Sequence, residues 1–364
     1  MSTLTSSDGL AGVPTAPEPL KRKDFISDQE VRWCPGCGDY SILAAFQQIL
    51  PSLGIRRENT VVVSGIGCSS RLPYYMNTYG IHSIHGRALT LATGLAMTRP
   101  DLAVFVVTGD GDALSIGANH LVHALRRNMN ITVLLFNNRI YGLTKGQYSP
   151  TSEVGQVTKS SPMGSVDQPL NPVSLALGAE ATFVARALDS DKAGLEATLS
   201  AAAKHRGASL VEIYQNCSVF NDAAFEELKG PGSAESLIRL EEGKPIVFGT
   251  DNHLGVVSDP GGGVRVAEVS EVGSDAVLVH DPHTADPSRA FALSRLTDQG
   301  VIRRAPVGIF RDVERPSYDD QVRAQVNLAE QGQGRGDDAP LEKLLLGPDT
   351  WQVVYPRATR RPTV

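Results

Sequence analysis

Residues 102–138 read LAVFVVTGDGDALSIGANHLVHALRRNMNITVLLFNN, and this stretch decides the fold. The β-branched and aromatic run at 102–107 predicts a buried parallel strand, because such strands are covered by helices on both faces. A turn with two glycines follows it. From 113 to 127 apolar residues recur at helical spacing, and residues 131–136 predict the next strand. The order of strand, helix and strand predicts a doubly wound, mostly parallel α/β sheet.

Polar groups stand at the two ends of this unit. Gly109 and Gly111 let the backbone bend sharply and approach a ligand, and Asp110 offers a hard oxygen to a divalent cation. Asn138 follows the next strand, and the carbonyl group of Ile140 can reach the same cation. Mg²⁺ takes few protein oxygens together with phosphate oxygens, and a helix that begins at the turn directs N–H groups toward a phosphate. The pattern resembles the diphosphate-binding domain of thiamine diphosphate enzymes.

The chain contains four cysteines, each in a loop rich in Gly, Pro, Ser or Asn. Cys34 and Cys37 precede a predicted helix at 40–50, Cys68 follows a predicted strand at 60–64, and Cys217 follows one at 209–214. Four thiolates are the complement of a 4Fe-4S cluster. A redox dithiol would leave two cysteines unexplained, structural zinc normally uses two paired knuckles, and disulfides need an oxidising compartment and a signal peptide. These alternatives stay open on the residues alone.

Together these segments resemble the β subunits of 2-oxoacid:ferredoxin oxidoreductases over residues 31–222. The resemblance implies thiamine diphosphate, Mg²⁺ and a 4Fe-4S cluster as cofactors. It places Mg²⁺ at Asp110, Asn138 and Ile140, and the cluster at Cys34, Cys37, Cys68 and Cys217. It also implies further cofactor contacts at Ile66, Gly67, Ser69, His85, Gly86, Gly109, Gly111, Asp112, Gly142, Leu143 and Thr144.

The string IYGLTKGQYSPT at 140–151 is similar to that of family members acting on 2-oxoglutarate, whereas pyruvate-type relatives tend to have a small residue in place of Lys145. 2-Oxoglutarate has a second carboxylate that needs a positive partner, and a charged hydrogen bond contributes about 1.5–3 kcal/mol. By the same resemblance Arg71 looks like a second basic group for the substrate. The implied reaction is oxidative decarboxylation of 2-oxoglutarate to succinyl-CoA and carbon dioxide, with electrons passing through the cluster to ferredoxin.

Two other classes compete with this interpretation. One is a non-redox thiamine diphosphate decarboxylase half-subunit, and the other is an interaction subunit whose metal is purely structural. Pyruvate and other 2-oxo acids remain alternative substrates. Because the sequence shows only the diphosphate half of a thiamine site, we expect an α-type partner subunit that supplies the activating Glu and the coenzyme A site, most simply in an α2β2 assembly.

Composition and segment boundaries complete the predictions. The 364 residues are 41% hydrophobic and 20% charged, with a formal charge of −6. No apolar run approaches the roughly 20 residues of a membrane helix, and no basic stripe predicts nucleic-acid binding, so a cytoplasmic enzyme is expected. We predict an N-terminal arm at 1–30 that lies on a partner, a catalytic domain at 31–222, a less regular extension at 223–328, and a linker and docking tail at 329–364. Further helices are predicted at 171–178, 191–205 and 287–299, and further strands at 181–188, 244–249, 264–268 and 307–311.

Overall fold

The structure, a computed structural model, describes residues 8–297, 302–333, 339–351 and 353. The chain divides into two compact units, Met1–Asp320 and Gln321–Val364. The strands are β1 (Thr60–Ser64), β2 (Tyr79–His82), β3 (Ala103–Gly109), β4 (Ile131–Asn137), β5 (Ile140–Tyr141), β6 (Gln147–Tyr148), β7 (Phe183–Leu188), β8 (Ala208–Tyr214), β9 (Leu237–Leu240), β10 (Val247–Phe248), β11 (Leu254–Ser258), β12 (Val264–Glu268) and β13 (Ala305–Asp312). The α-helices are α1 (Asp39–Ile49), α2 (Ala88–Thr98), α3 (Ala118–Arg126), α4 (Pro172–Gly178), α5 (Lys192–Lys204), α6 (Val269–Val272), α7 (Ser288–Ser294), α8 (Tyr318–Gln333) and α9 (Ala339–Leu346).

The first unit is built on an eight-stranded sheet with the strand order β2-β1-β3-β4-β8-β7-β13-β9. The six strands from β2 to β7 in this order are parallel. β13 pairs antiparallel with β7 and parallel with β9, so two strands from beyond residue 222 extend the sheet in the opposite direction. The predicted mostly parallel α/β sheet is confirmed, and the chain after residue 222 contributes two of its strands.

Helices cover both faces of the sheet because successive strand residues point to opposite sides. Val61 and Val63 face a core that includes residues of α2, α3, α4 and α7. Val62, between them, faces a second core that includes residues of α1 and α5. All residues of β1 and β4 are therefore buried, which explains why these strands read as continuous apolar runs.

The local predictions within 31–222 agree with the structure to within two residues at each end, except for the helix predicted at 113–127. There a π-helical turn, Asp112–Ile116, precedes α3, and Gly117 separates the two. Gly117 packs so closely that an added Cβ atom would lie 2.5 Å from the carbonyl oxygen of Asp112 and 3.2 Å from Cα of Gly86. The predicted regular helix is therefore wrong in its first turn, because tertiary packing overrides the helical period.

Beyond residue 222 the strands predicted at 264–268 and 307–311 are confirmed as β12 and β13, but the other predictions were less accurate. The strand predicted at 244–249 is reduced to Val247–Phe248, which joins β11 and β12 in a small antiparallel sheet. The helix predicted at 287–299 ends at Ser294, and residues 298 and 299 lie outside the described residues. α8 continues to Gln333, so the predicted linker begins as helix, while 334–338, 352 and 354–364 lie outside the described residues. The docking role of the tail stays a prediction.

The N-terminal segment packs against the chain's own core from residue 8 onward. Phe25 is fully buried, and the N–H group of Gly9 donates to the carbonyl oxygen of Lys204 at 2.6 Å. The described part of the predicted arm, from residue 8 to residue 30, therefore packs on its own chain. Residues 1–7 lie outside the described residues. Among the residues that the structure describes, no helix is both long and apolar enough to cross a membrane.

Candidate functional site

A cavity of about 150 Å³ lies at the carboxyl ends of β1, β3 and β4, where parallel strands bring their loops to one edge of the sheet. Asp39, Phe136, Tyr141 and Gln215 form part of its wall. The remaining wall residues are ones predicted from the sequence: Ile66, Gly67, Cys68, Ser69, His85, Gly109, Asp110, Gly111, Asp112, Asn138, Ile140, Gly142, Leu143 and Thr144. The structure therefore brings almost all of the predicted cofactor residues to one place, and their roles stay predictions.

The carboxylate of Asp110 is buried and held from one side. Its Oδ2 atom accepts hydrogen bonds from Ser149 Oγ at 2.5 Å and from Thr151 Oγ1 at 2.6 Å. Burial raises the pKa of Asp110 to about 6, although these hydrogen bonds act in the opposite direction. Asn138 and Ile140 line the same cavity, and the amide oxygen of Asn138 accepts from the N–H group of Ile140 at 3.2 Å. The residues that line the cavity thus carry a carboxylate, an amide oxygen and a backbone carbonyl group, which are hard oxygen donors of the kind that Mg²⁺ binds.

Asp112 connects the loop after β3 to the chain segment that precedes α2. Its Oδ1 atom lies 2.5 Å from His85 Nδ1 and accepts from the N–H group of Gly86 at 2.7 Å. Its Oδ2 atom accepts from Thr108 Oγ1 at 2.7 Å. Gly86 does not line the cavity, but this contact fixes its position directly behind the wall. Asp112 was predicted as a cofactor contact, and the structure shows that it also holds two loops of the site together.

Neither glycine of the turn provides a left-handed backbone, and Gly111 instead permits close packing. Neither Gly109 nor Gly111 has a positive φ angle. A Cβ atom on Gly111 would lie 2.1 Å from Cε1 of Tyr141, whose hydroxyl group donates to the Gly111 carbonyl oxygen at 3.0 Å. The sequence did not predict a role for Tyr141, because its ring meets the turn at Gly111 only in the folded structure.

The four cysteines are free thiols, and Cys68 lines the cavity. A Cβ atom on Gly142 would lie 3.6 Å from both Cys68 Sγ and Cys217 Sγ. Burial raises the pKa of the Cys37 thiol, and the charge of Asp39 adds to this effect. The same two causes, in the same order, raise the pKa of the Cys68 thiol to about 12. Cys34 is exposed, whereas the other three are half-buried. In the described residues, no three His, Cys, Asp or Glu side chains converge as they would around one metal ion.

Asp39 is a site residue that the sequence reasoning missed. It follows Cys37 by two positions at the start of α1, is only 1% exposed and lines the cavity. Neither of its carboxylate oxygens has a hydrogen-bond partner among the described residues. Burial raises its pKa to about 7, and the charge of Asp189 acts in the same direction, while the Cys37 thiol opposes it. The sequence signal that could have identified Asp39 is an acidic residue two positions after a Cys-x-x-Cys pair.

The two predicted substrate residues lie outside the cavity wall. Lys145 is exposed at the tip of the β5–β6 hairpin, with a φ angle of 77°. Its ammonium group has no acidic partner within the described parts of the chain. Arg71 is half-buried, donates to the carbonyl oxygen of Arg32 at 2.6 Å, and lines a neighbouring groove that shares Ile66, Gly67 and Leu143 with the cavity. The structure places both groups at the rim of the site, and their roles stay predictions.

A buried ion pair beneath the site was also missed. Arg186 Nε donates to Glu212 Oε2 at 2.7 Å, and both side chains are at most 1% exposed. The other oxygen of Glu212 accepts from Asn137 Nδ2 at 2.7 Å, and Asn137 Oδ1 lies 2.9 Å from Thr151 Oγ1. A continuous set of polar contacts therefore leads from Asp110 to Arg186. A Glu inside the buried strand β8 was the signal in the sequence.

Known proteins share both the sequence and the fold. The chain is 63% identical to 2-oxoglutarate oxidoreductase subunit KorB of Mycobacterium tuberculosis, across 94% of this chain and 91% of that protein. It is 36% identical to 2-oxoacid:ferredoxin oxidoreductase 1, subunit beta, of Aeropyrum pernix, across 89% of this chain and 92% of that protein. The chain belongs to the 2-oxoacid:ferredoxin oxidoreductase β-subunit family.

A solved structure and a domain family agree with this assignment. The structure of 2-oxoglutarate:ferredoxin oxidoreductase from Magnetococcus marinus with 2-oxoglutarate, coenzyme A and succinyl-CoA bound matches with a TM-score of 0.73 and 31% identity, covering 92% of this β subunit and all of that chain. Residues 65–213 match the family described as thiamine pyrophosphate enzyme, C-terminal TPP binding domain. The predicted resemblance, fold and thiamine diphosphate-binding domain are confirmed. The Mg²⁺ and cluster assignments stay predictions.

Proposed function

We propose that this chain is the β subunit of an enzyme that converts 2-oxoglutarate and coenzyme A to succinyl-CoA and carbon dioxide and passes two electrons to ferredoxin. The observation that carries the proposal is that Cys68 belongs both to the four-cysteine group and to the wall of the cation cavity. A thiamine site and an electron acceptor would therefore be neighbours. The 63% identical relative, which is named for 2-oxoglutarate, supports this substrate.

The donor set fits Mg²⁺ and a diphosphate. Asp110, Asn138 and Ile140 would hold the cation through oxygen atoms, and the diphosphate would complete its shell. Bound there, thiamine diphosphate would supply an electron sink for the carbon that loses carbon dioxide. The chain's own contribution is to hold the diphosphate end at the buried edge of the sheet, because His85, Gly86 and Asp112 are already tied together there.

The cysteine group has the number of thiols that a 4Fe-4S cluster needs. Cys34, Cys37, Cys68 and Cys217 would hold it, and it would supply one-electron steps toward ferredoxin. The Cys37 and Cys68 thiols have raised pKa values, and the other cysteine thiolates contribute to both shifts. Iron binding therefore has to displace protons from these thiols, as metal binding to cysteine generally does. The exposed Cys34 lies on the side from which an acceptor can approach.

The substrate and the partner subunit complete the proposal. Lys145 would pair with the distal carboxylate of 2-oxoglutarate, and Arg71 would add positive charge at the same rim. Both side chains are accessible from outside the cavity, so an α-type subunit would cover them. That subunit would supply the activating Glu and the coenzyme A site.

The test is to co-express the chain with an α-type subunit under low oxygen and measure coenzyme A-dependent reduction of viologen. 2-Oxoglutarate, pyruvate and 2-oxoisovalerate are compared in parallel, and iron and thiamine diphosphate are determined in the same preparation. We expect reduction with 2-oxoglutarate, about four irons and one thiamine diphosphate per β subunit. Activity with another acid alone would refute the substrate, and a preparation active without iron would refute the redox route.

A matched pair of variants separates the two sites. Asp110→Ala should lose thiamine diphosphate and keep its iron, whereas Cys34→Ser should lose iron and keep thiamine diphosphate. Both variants should be inactive. Loss of both cofactors in both variants would instead indicate a general failure to fold, which circular dichroism of the purified complexes would detect.

A further inference from the structure

The hairpin that carries Lys145 begins and ends at the cation cavity. β5 begins at Ile140, whose carbonyl group is a predicted cation ligand, and pairs with β6 through Ile140 with Tyr148 and Tyr141 with Gln147. Directly after β6, the hydroxyl groups of Ser149 and Thr151 bind Asp110 Oδ2. Both ends of a hairpin with an exposed tip are thus fixed to the same predicted cation site.

The contacts at the far end of the hairpin are buried and specific. Ser149 is 2% exposed, Thr151 3% and Asp110 2%, so water is a poor substitute for either hydroxyl group. Two O–H donors on one carboxylate oxygen restrict rotation of the carboxylate and leave its orientation set by the hairpin. Thr151 Oγ1 also lies 2.9 Å from Asn137 Oδ1, which connects this end to the polar contacts beneath the sheet.

The near end has its own anchor. Tyr141 donates its hydroxyl hydrogen to the Gly111 carbonyl oxygen, so the strand that leaves the cavity is tied to the residue next to Asp110. Across the tip, the N–H group of Gly146 donates to the carbonyl oxygen of Tyr141 at 2.9 Å. The only exposed part of the hairpin is therefore a short turn at 143–145 between two fixed strands.

We propose that Ser149 and Thr151 are positioning residues that couple the cation site to the substrate hairpin. Through Asp110 they orient the carboxylate for Mg²⁺, and occupation of the cation site in turn orders the hairpin that presents Lys145. This inference rests on the proposed function, because it requires that Asp110 binds the cation and that the hairpin faces the substrate. Outer contacts that orient a metal ligand commonly change metal affinity by about 10- to 100-fold when removed.

The experiment uses the complete α–β complex, with Thr151→Val and Ser149→Ala alone and together. Ser152→Ala is the matched control for the geometry of the turn. Ser152 Oγ donates to the carbonyl oxygen of Arg139, accepts from the N–H group of Ser149 at 2.8 Å and lies 3.4 Å from Ser149 Oγ, but it donates no hydrogen bond to Asp110. After removal of Mg²⁺ with EDTA, retained thiamine diphosphate is measured as Mg²⁺ is added back. Hydrogen–deuterium exchange of the 140–151 segment is followed with and without Mg²⁺ and thiamine diphosphate.

We expect the double variant to need about 10- to 100-fold more Mg²⁺ for half-maximal retention and to lose most of the cofactor-dependent protection of 140–151. Its KM for 2-oxoglutarate should rise, while Ser152→Ala changes the Mg²⁺ requirement little. An unchanged Mg²⁺ requirement in the double variant would overturn the inference. An equal shift in Ser152→Ala would also overturn it, because the effect would then belong to the turn. If the unmodified complex retains no thiamine diphosphate at any Mg²⁺ concentration, both the inference and the proposed function fail.

Discussion

Replacing Lys145 by Gly tests the assignment of substrate selectivity to a single ammonium group. Lys145 is exposed at the hairpin tip, has no acidic partner among the described residues and adopts a φ angle of 77°. If it binds the distal carboxylate of 2-oxoglutarate, the variant loses about 1.5–3 kcal/mol of transition-state binding. That loss lowers kcat/KM for 2-oxoglutarate by about 10- to 100-fold. Pyruvate lacks the second carboxylate, so its kcat/KM should change little.

The same substitution should have only a small effect on stability. A left-handed backbone costs a side-chain residue about 1 kcal/mol, which Gly avoids, but Gly also increases the entropy of the unfolded chain by a similar amount. The free energy of unfolding should therefore change by less than about 1 kcal/mol, so misfolding would not account for lost activity. Lys145→Arg keeps the charge and is the matched control, which should retain most of the selectivity.

The assay is viologen reduction by the assembled complex with each acid over a range of concentrations. The reasoning is refuted if Lys145→Gly lowers kcat/KM equally for 2-oxoglutarate and pyruvate. An equal loss would mean that the hairpin tip shapes the site without recognising the second carboxylate. Thermal unfolding of each variant, measured in the same buffer, completes the comparison.

Three further predictions follow from buried groups. In the cofactor-free chain, the folded Asp39 carboxyl holds its proton up to about pH 7 whereas its ordinary pKa is 3.8, so the free energy of unfolding should fall as pH rises between these values. Asp39→Asn should remove up to about 4 kcal/mol of this fall. The prediction is contradicted if the urea midpoint changes equally in both proteins between pH 5 and pH 8. Glu212→Leu alone should lower the free energy of unfolding by about 3–5 kcal/mol, because it leaves Arg186 buried and unpaired. Adding Arg186→Met should recover part of that loss in a double-mutant cycle measured by urea unfolding, whereas additive losses would be the contrary result. Gly111→Ala should lower the melting temperature, because its new Cβ atom meets the Tyr141 ring and overpacking costs about 1–3 kcal/mol. Adding Tyr141→Ala to the same chain should relieve part of this effect. If calorimetry shows no relief, this clash is not the cause.

Local sequence patterns were enough to predict the edge of the sheet that holds the site. The apolar runs of β3 and β4, and the Asp and Asn that follow them, predict a cation site because parallel strands end at the same edge. Periodicity could not predict the π-helical turn before α3, because it depends on the contact of Gly117 with Gly86. The hydroxyl groups of Ser149 and Thr151 were likewise unremarkable in the sequence, since their partner Asp110 lies about forty positions away and meets them only when the hairpin closes.

Local sequence patterns also could not predict how the strands pair at the β9 end of the sheet. The run that forms β13 reads as an ordinary strand, and nothing within it specifies that it pairs antiparallel with β7 and separates that strand from β9. Pairing between segments this far apart is decided by the whole packed unit rather than by neighbouring residues. Asp39 illustrates the corresponding limit for chemistry. Its type and position are visible in the sequence, but its burial without a hydrogen-bond partner among the described residues is not.

The position of β13 determines when the sheet of this protein can be completed during synthesis. A nascent chain that has emerged as far as residue 222 already contains all four cysteines and every predicted cofactor residue, but its sheet ends at an open β7. Arg186 of that strand still lacks the carbonyl oxygen of Pro306 and the hydroxyl group of Thr297, which it binds in the finished protein. Unpaired strand edges favour association between incomplete chains, and long-range pairing is slow. β13, the last strand in the described part of the chain, therefore covers the open edge of a sheet whose cofactor-binding half was synthesised first.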